Sequence, residues 1–215
     1  MTEYFKITQE AITYLKESDE RMKEVIEQVG EIKRSLEPDL FISLVSSIVG
    51  QQISQKAKDT VWARLNNQLK ELTPENIAEA TAEDLQQNGL SFRKVSYLKN
   101  TAEMFLNGTI REDELKKMSD EEVIERLMKI KGVGKWTAEM QLIFSMERQN
   151  VLAFDDFAIK RGLRMIYQEE KITKKIYQKY YETFSPYATV AGLYIWEVSA
   201  GKLPHLKDVV PESKK

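Results

Sequence analysis

The sequence predicts an all-α fold, and three observations support this prediction. Glycine and proline are scarce, with nine and five among 215 residues, which disfavours a turn-rich β fold. Apolar residues recur at the i, i+4 spacing that places them on one face of a helix. Only residues 151–154 have an extended apolar pattern, and a single four-residue run does not make a sheet.

The first half of the chain contains helix signals in regular order. Pro38 suits the first turn of a helix that buries Leu44 and Ile48. Ser54 is a candidate cap for the helix that follows. Further starts are predicted at Thr73-Pro74 and at the capping box Thr81–Asp84, whose helix stops near Gly89, and residues 92–106 form a helix ended by Gly108.

The second half continues the same pattern. Ser119–Glu122 is a capping box, and its helix leads to Ile130. A new helical pattern begins at Lys135. The last predicted helices lie around 159–167, 174–184 and 188–200, the final one ended by Gly201.

The composition narrows the chemistry that the chain can perform. Cysteine is absent, which excludes disulfides, cysteine nucleophiles and cysteine-bound iron–sulfur clusters. The single histidine, His205, lies in a proline-flanked segment, where a surface position is expected and a zinc site is not. A hydrolase without a thiol or such a metal site must use carboxylates.

The charge distribution is uneven. The net charge of −2 and the isoelectric point near 5.7 argue at first against a nucleic-acid-binding protein. Residues 157–181 nevertheless contain seven basic residues and two acids, a local balance of +5, and distribution matters more than the sum. A solvated helix face accounts for the lysines of 171–179. The seven are Lys160, Arg161, Arg164, Lys171, Lys174, Lys175 and Lys179.

The most informative segment runs from residue 127 to residue 156. It turns between two helical patterns through Gly132-Val133-Gly134, with Lys131 and Lys135 on either side. Such a turn exposes backbone N–H groups at the start of the second helix, where the helix dipole also favours an anion. Two adjacent acids, Asp155 and Asp156, close the segment. A phosphate-binding turn followed by carboxylates suggests chemistry on a nucleic acid.

This segment resembles the helix-hairpin-helix DNA glycosylase superfamily, and within it the 3-methyladenine DNA glycosylase II group. Three further segments support the resemblance in the order expected for that group, namely residues 48–54, 155–160 and 194–196. The hairpin matches are Leu127, Ile130, Gly132, Val133, Gly134, Thr137 and Ala138.

The resemblance implies an all-α fold of two helical lobes with a cleft between them and a helix-hairpin-helix motif at 127–138. One lobe, a six-helix unit, is expected to cover 36–148. The other is expected to combine 1–35 with 149–215. The likeness is to the compact form of the family, which lacks an N-terminal β domain.

The resemblance also implies a catalytic role for Asp156, which would stabilise positive charge on the sugar and orient water. Asp155 is interpreted as the cap of the next helix. Trp136 occupies the position where strand-cleaving relatives have a lysine nucleophile, so a monofunctional glycosylase is expected. Lys135 is rotated by ~100° around the helix and is not expected to substitute.

The expected substrate pocket contains Trp136, Met140 and Trp196, with Met140 at a position where relatives can have tyrosine. Ala188 replaces an arginine that related chains often have. Gln52 either fills the gap left by the extruded base or is an ordinary polar residue at a helix end. The expected DNA-binding residues are Gln52, Lys131, Gly132, Gly134, Lys135 and Thr137.

No cofactor is predicted. Some family members hold a monovalent cation on main-chain carbonyls of the hairpin, which here are those of Met128, Ile130 and Val133. Backbone oxygens leave no side-chain pattern, so the sequence does not test this.

We therefore expect a DNA repair glycosylase that excises alkylated purines of the 3-methyladenine and 7-methylguanine type from duplex DNA and leaves an abasic site. The residues leave two alternatives open, a related glycosylase for deaminated or oxidised bases and an inactive module that binds damaged DNA. The expected partner is duplex DNA with damaged bases. The protein is expected to bind it as a monomer and not to associate with a membrane. No secretion signal is visible, so a cytoplasmic, nucleoid-associated protein is expected in a bacterium and a nuclear one otherwise.

Overall fold

The structure is a computed structural model that describes residues 2–209. Within that range the chain forms thirteen α-helices and no β-strand, apart from one isolated bridge between Tyr4 and Ser35. The all-α prediction is therefore confirmed. The helices are α1 (Gln9–Ser18), α2 (Glu20–Val29), α3 (Leu40–Gly50), α4 (Gln55–Leu69), α5 (Pro74–Glu79), α6 (Ala82–Gln87), α7 (Phe92–Leu106), α8 (Glu112–Leu115), α9 (Asp120–Leu127), α10 (Lys135–Phe144), α11 (Phe157–Tyr167), α12 (Lys174–Phe184) and α13 (Ala188–Ser199).

Most predicted helix starts are confirmed by their caps. Ser54 and Thr73 each accept a hydrogen bond from an amide of the first turn. Both capping boxes, Thr81 with Asp84 and Ser119 with Glu122, are present with their reciprocal bonds. The hydrogen bonds that cap the N-terminus of a helix can thus be predicted from the sequence.

The placement of Pro38 was wrong, and α1, α2 and α8 had no start predicted from the sequence. Pro38 lies outside the first turn, because Asp39 is the N-cap of α3 and accepts a hydrogen bond from the Ile42 amide. A short acceptor side chain next to the helix overrides the preference of proline for the first turn. The one-turn helix α8 was missed, and its N-cap residue Arg111 makes no side-chain capping bond.

The chain divides into two compact units. Unit 2, Glu37–Met146, contains α3 to α10, and α7 packs against α3, α5 and α6. Helix α10 packs against both α3 and α9. The core of this unit includes Phe41, Val45, Ile48, Val49, Val61, Leu65, Leu72, Ile77, Leu85, Leu90, Val95, Leu98 and Ala102.

Unit 1 comprises Met1–Leu36 and Glu147–Lys215, of which residues 2–36 and 147–209 are described. Helix α13 lies at its centre, packed against α11, α2, α1 and α12. Gly162 permits the close approach of α11 and α13, since a Cβ there would lie 2.5 Å from the Ile195 carbonyl oxygen. None of the helices in residues 2–209 combines the length and the apolar character needed to cross a membrane.

Candidate active site and nucleic-acid interface

The hairpin of unit 2 links the end of α9 at Leu127 to the start of α10 at Lys135. Gly134 is the N-cap of α10, with φ −94° and ψ 176°, and provides no side-chain capping bond. The first-turn amides of α10 therefore have no capping acceptor at that position, and the positive end of the helix dipole lies there. This geometry suits an anion such as a backbone phosphate.

The two glycines of the hairpin are needed for different reasons. Gly132 has φ +85°, and a Cβ there would lie 2.2 Å from Cδ2 of Tyr97. Gly134 has an ordinary φ, and apart from its two chain neighbours no described residue has a heavy atom within 4 Å of a Cβ built on it. The fold therefore requires glycine at 132, whereas the open space beside 134 leaves room for a ligand to approach the backbone closely.

Two side chains that sequence analysis did not select hold the hairpin in place. The Lys131 amide donates to Oδ1 of Asn100 over 2.8 Å. Nε2 of Gln51 donates to the Gly132 carbonyl over 2.9 Å. Gln51 adjoins Gln52, which was predicted to bind DNA, but its partner Gly132 is 81 residues away, so no local pattern predicted the contact. No sequence pattern indicated a role for Asn100.

The carbonyls proposed to hold a cation lie on the same hairpin. That of Ile130 accepts a hydrogen bond from the Val133 amide over 3.1 Å, and a carbonyl oxygen has a second lone pair. Neutral oxygens of this kind fit a monovalent cation held without carboxylates. The assignment of Met128, Ile130 and Val133 stays a prediction.

A cavity of about 960 Å³ opens beside the hairpin in unit 2. Trp136 lines it with 47% of its surface exposed, whereas Met140 lines it but is 8% exposed. About half of the indole is thus accessible, and an accessible aromatic ring can stack on a flat, electron-poor base. The cavity is basic as well as aromatic, since its lining also includes Lys58, Arg93 and Lys94.

Thr137 and Gln52 lie on the same cavity but differ in exposure. Thr137 is 7% exposed, so contact with a phosphate would have to come mainly from its main-chain amide. Gln52 is exposed and has φ +56°, a left-handed conformation that only a few per cent of non-glycine residues adopt. It follows the end of α3 in a tight turn.

Asp156 is the N-cap of α11 in unit 1. Its Oδ1 accepts a hydrogen bond from the Ile159 amide over 2.8 Å and another from Nε1 of Trp196 over 3.2 Å. The residue is 8% exposed. Its carboxylate is therefore fixed in orientation, as an electrostatic catalyst must be.

The expected capping role of Asp155 was wrong. Its side chain is 63% exposed and forms an ion pair with Lys160 at 3.5 Å. Because α11 begins at Phe157, the acid immediately before the helix, Asp156, is the one whose oxygen reaches the first-turn amides.

The basic segment 157–181 is less positive than its composition suggests. Arg164 donates to both carboxylate oxygens of Asp208, over 2.8 and 2.5 Å, and Arg161 also pairs with Asp208. Lys160 pairs with Asp155 and lies over the Phe154 ring. In unit 2, Lys135 pairs with the buried Glu139 at 3.7 Å. These pairs reduce the local positive charge inferred from the sequence.

Comparison with known proteins gives a consistent result. A family model described as the HhH-GPD superfamily base excision DNA repair protein matches residues 45–186. DNA-3-methyladenine glycosylase 1 of Schizosaccharomyces pombe is 36% identical over 189 residues, covering 84% of this chain and 83% of the relative.

Two solved structures are similar over nearly the whole chain. A DNA-3-methyladenine glycosidase from Bacillus halodurans superposes with a TM-score of 0.84 and 34% identity, covering 92% of both chains. The 3-methyladenine DNA glycosylase Mag1 of Schizosaccharomyces pombe, solved in complex with abasic DNA, gives a TM-score of 0.77 and 33% identity, covering 94% of this chain and 100% of that one.

The fold and the matched sequence thus define a base excision repair glycosylase. The chain belongs to the HhH-GPD superfamily of base excision DNA repair proteins.

Proposed function

We propose that this protein is a monofunctional glycosylase of the 3-methyladenine DNA glycosylase II type that hydrolyses the N-glycosidic bond of alkylated purines in duplex DNA. The observation that carries the proposal is Asp156, a nearly buried carboxylate held at one oxygen by both the Ile159 amide and the Trp196 indole. Relatives with the names of 3-methyladenine glycosylases support the choice of substrate class.

Expulsion of a base from C1′ passes through a state that resembles an oxocarbenium ion. A fixed carboxylate near C1′ stabilises this positive charge, and it can orient or deprotonate the attacking water. Asp156 supplies that group. Since a purine methylated at N3 or N7 is cationic and its glycosidic bond is already weak, no general acid is needed to expel it.

Aromatic surface provides the basis for selecting the base. Trp136 offers an exposed indole face in unit 2, and stacking on it favours a cationic, electron-poor base over a neutral one. Met140, in place of an aromatic ring, gives the lining a softer and more adaptable side chain. The range of accepted bases should therefore differ from that of relatives with tyrosine there.

Water, rather than an enzyme amine, is the proposed nucleophile. Trp136 cannot form an imine, and the neighbouring Lys135 forms an ion pair with Glu139. An abasic site in an intact strand is then the expected product. The hairpin amides near Gly134 hold a backbone phosphate without reading sequence, and the protein acts as a monomer on duplex DNA.

Release of bases from methylated duplex DNA tests the proposal. Purified protein is incubated with dimethyl sulfate-treated DNA, and liberated 3-methyladenine and 7-methylguanine are separated by chromatography. The proposal requires release by the wild type and at least ~100-fold slower release by Asp156→Asn, the scale of one lost electrostatic contact.

Parallel duplexes with hypoxanthine or 8-oxoguanine test the two alternatives. If only a deaminated or oxidised base is released, the protein is a glycosylase for that class of base and not for alkylated purines. Tight binding of damaged duplex without release of any base would identify an inactive binding module.

A further inference from the structure

One face of α7 contacts the hairpin at two successive positions. Lys94, Tyr97 and Asn100 are spaced by three and share this face. The Tyr97 ring packs against Gly132, and Oδ1 of Asn100 accepts the Lys131 amide over 2.8 Å. Helix α7 therefore acts as a rigid support for the hairpin.

The same face also holds the turn that contains Gln52. Nζ of Lys94 donates to the Val49 carbonyl, at the C-terminal end of α3, over 2.7 Å. A cation there complements the negative end of the helix dipole. Gln51 completes the connection, since its Nε2 donates to the Gly132 carbonyl over 2.9 Å. The Gln52 turn and the hairpin are thus joined directly and through α7.

Gln52 needs such support. Its φ of +56° lies in the left-handed region, which is disfavoured for a residue with a Cβ. A backbone conformation of this kind persists where the surroundings fix it, and it is often found at functional sites. Lys94 is half-buried beside the turn, and this partial burial lowers the pKa of its ammonium group.

We propose that Gln51 and Lys94 are positioning residues that fix the distance between Gln52 and the phosphate-binding hairpin. Gln52 then enters the base stack at a set distance from the gripped phosphate. This inference rests on the proposed function and on the first of the two roles expected for Gln52, that of filling the gap left by the extruded base. In this proposal, the contacts of Gln51 and Lys94 assist extrusion of a paired base. They are separate from Asp156 and from the substrate pocket.

The variants Gln51→Leu and Lys94→Met remove the two donors while keeping side-chain size. Lys99→Met is a matched control, because Lys99 is also on α7 and its Nζ donates to the Ala78 carbonyl over 2.9 Å at the end of α5. Thermal melting of all three reports the structural effect alone. Single-turnover release of one methylated purine is measured for a paired lesion and for the same lesion opposite a mismatched base.

Gln51→Leu and Lys94→Met should slow release from the paired duplex by ~10- to ~100-fold, the scale of a displaced positioning group. The defect should shrink several-fold at the mismatch, because extrusion of an unpaired base costs less. Lys99→Met should melt at a similarly lowered temperature but release the base at the wild-type rate in both duplexes.

A second readout does not depend on catalysis. In an Asp156→Asn background, a 2-aminopurine beside the lesion reports extrusion by fluorescence, and both positioning variants should lower this signal. If the wild type releases no base but the fluorescence difference persists, the proposed function fails and the positioning role stands. Equal defects on paired and mismatched lesions, or an equal defect in Lys99→Met, would overturn the positioning role.

Discussion

The indole Nε1 of Trp196 donates a hydrogen bond to Oδ1 of Asp156 over 3.2 Å. The Ile159 amide bonds the same oxygen over 2.8 Å, so one atom both caps α11 and binds α13. This double contact fixes the orientation of the carboxylate, and the close packing of α11 and α13 at Gly162 keeps the two donors in place.

Substitution of Asp156 by asparagine should abolish most activity without unfolding the protein. Asparagine is as good an N-cap as aspartate, so the melting temperature should change little. Loss of the negative charge should reduce excision of methylated purines by at least ~100-fold, while binding to an abasic-site analogue changes far less.

Asp155→Asn is the matched control for this prediction. The Asp155 side chain is exposed and pairs only weakly, at 3.5 Å, with Lys160, and exposed ion pairs contribute little. Near-normal excision is expected. If Asp155→Asn were inactive and Asp156→Asn active, the catalytic acid would be misassigned.

Replacement of Trp196 by phenylalanine should distinguish the contribution of the indole N–H donor from that of aromatic packing. The ring and most of its packing remain, but Asp156 loses one donor, which should lower the rate of excision by ~10-fold through looser positioning. Single-turnover kinetics and DNA affinity are measured together, and affinity should be unchanged.

Trp62→Phe provides the comparison, because Trp62 packs against the core of unit 2. That variant should lose stability but keep its rate of excision per folded molecule. An unaltered rate in Trp196→Phe would mean that the bond to Asp156 has no part in catalysis.

The two hairpin glycines should respond differently to substitution. Gly134→Asp should fold normally, since the described structure leaves open space there and aspartate is a good N-cap. Its carboxylate should repel the phosphate, so affinity for every duplex, damaged or not, should fall alike in fluorescence anisotropy.

Gly132→Ala should instead lower the free energy of unfolding by about 2 kcal/mol or more, because of its positive φ and the Tyr97 ring. Chemical denaturation of both variants makes the distinction. A folded Gly134→Asp variant with wild-type affinity would remove the hairpin from the binding surface.

Borohydride should trap no covalent complex between this protein and DNA during turnover. A lyase forms an imine between an amine and the opened sugar, and Trp136 replaces that amine here. The product strand should break only after alkali or endonuclease treatment, with enzyme-free DNA as the control for spontaneous cleavage. Trapping that disappears in a Lys135 or Lys160 variant would show a bifunctional enzyme.

Features with local determinants were predictable from the sequence. The capping boxes at Thr81 and Ser119 were predicted and found, because their donors and acceptors lie within one helical turn. The Asp155 assignment failed by a single residue, since a helix boundary decides which acid is the cap. The expected roles of Asp156, Trp136 and Gln52 came from the family resemblance, whereas the anion-binding role of the hairpin followed from its glycine turn.

Long-range contacts could not be predicted. Gln51 meets Gly132 across 81 residues, and Arg164 meets Asp208 across 44. Periodicity reports which face of a helix is buried but not which distant carbonyl or carboxylate lies against it. The charge count of 157–181 therefore overestimated the positive charge available to DNA.

The sequence by itself determined the helical class, most helix starts, the glycine turn and the absence of thiol chemistry, because each depends on residue type and short spacing. Only the tertiary structure decided that Gly132 is required by the Tyr97 ring while Gly134 borders open space. It alone decided that one oxygen of Asp156 binds both an amide of its own helix and the Trp196 indole. Both depend on packing between residues far apart in the chain, and such packing is fixed by the fold as a whole.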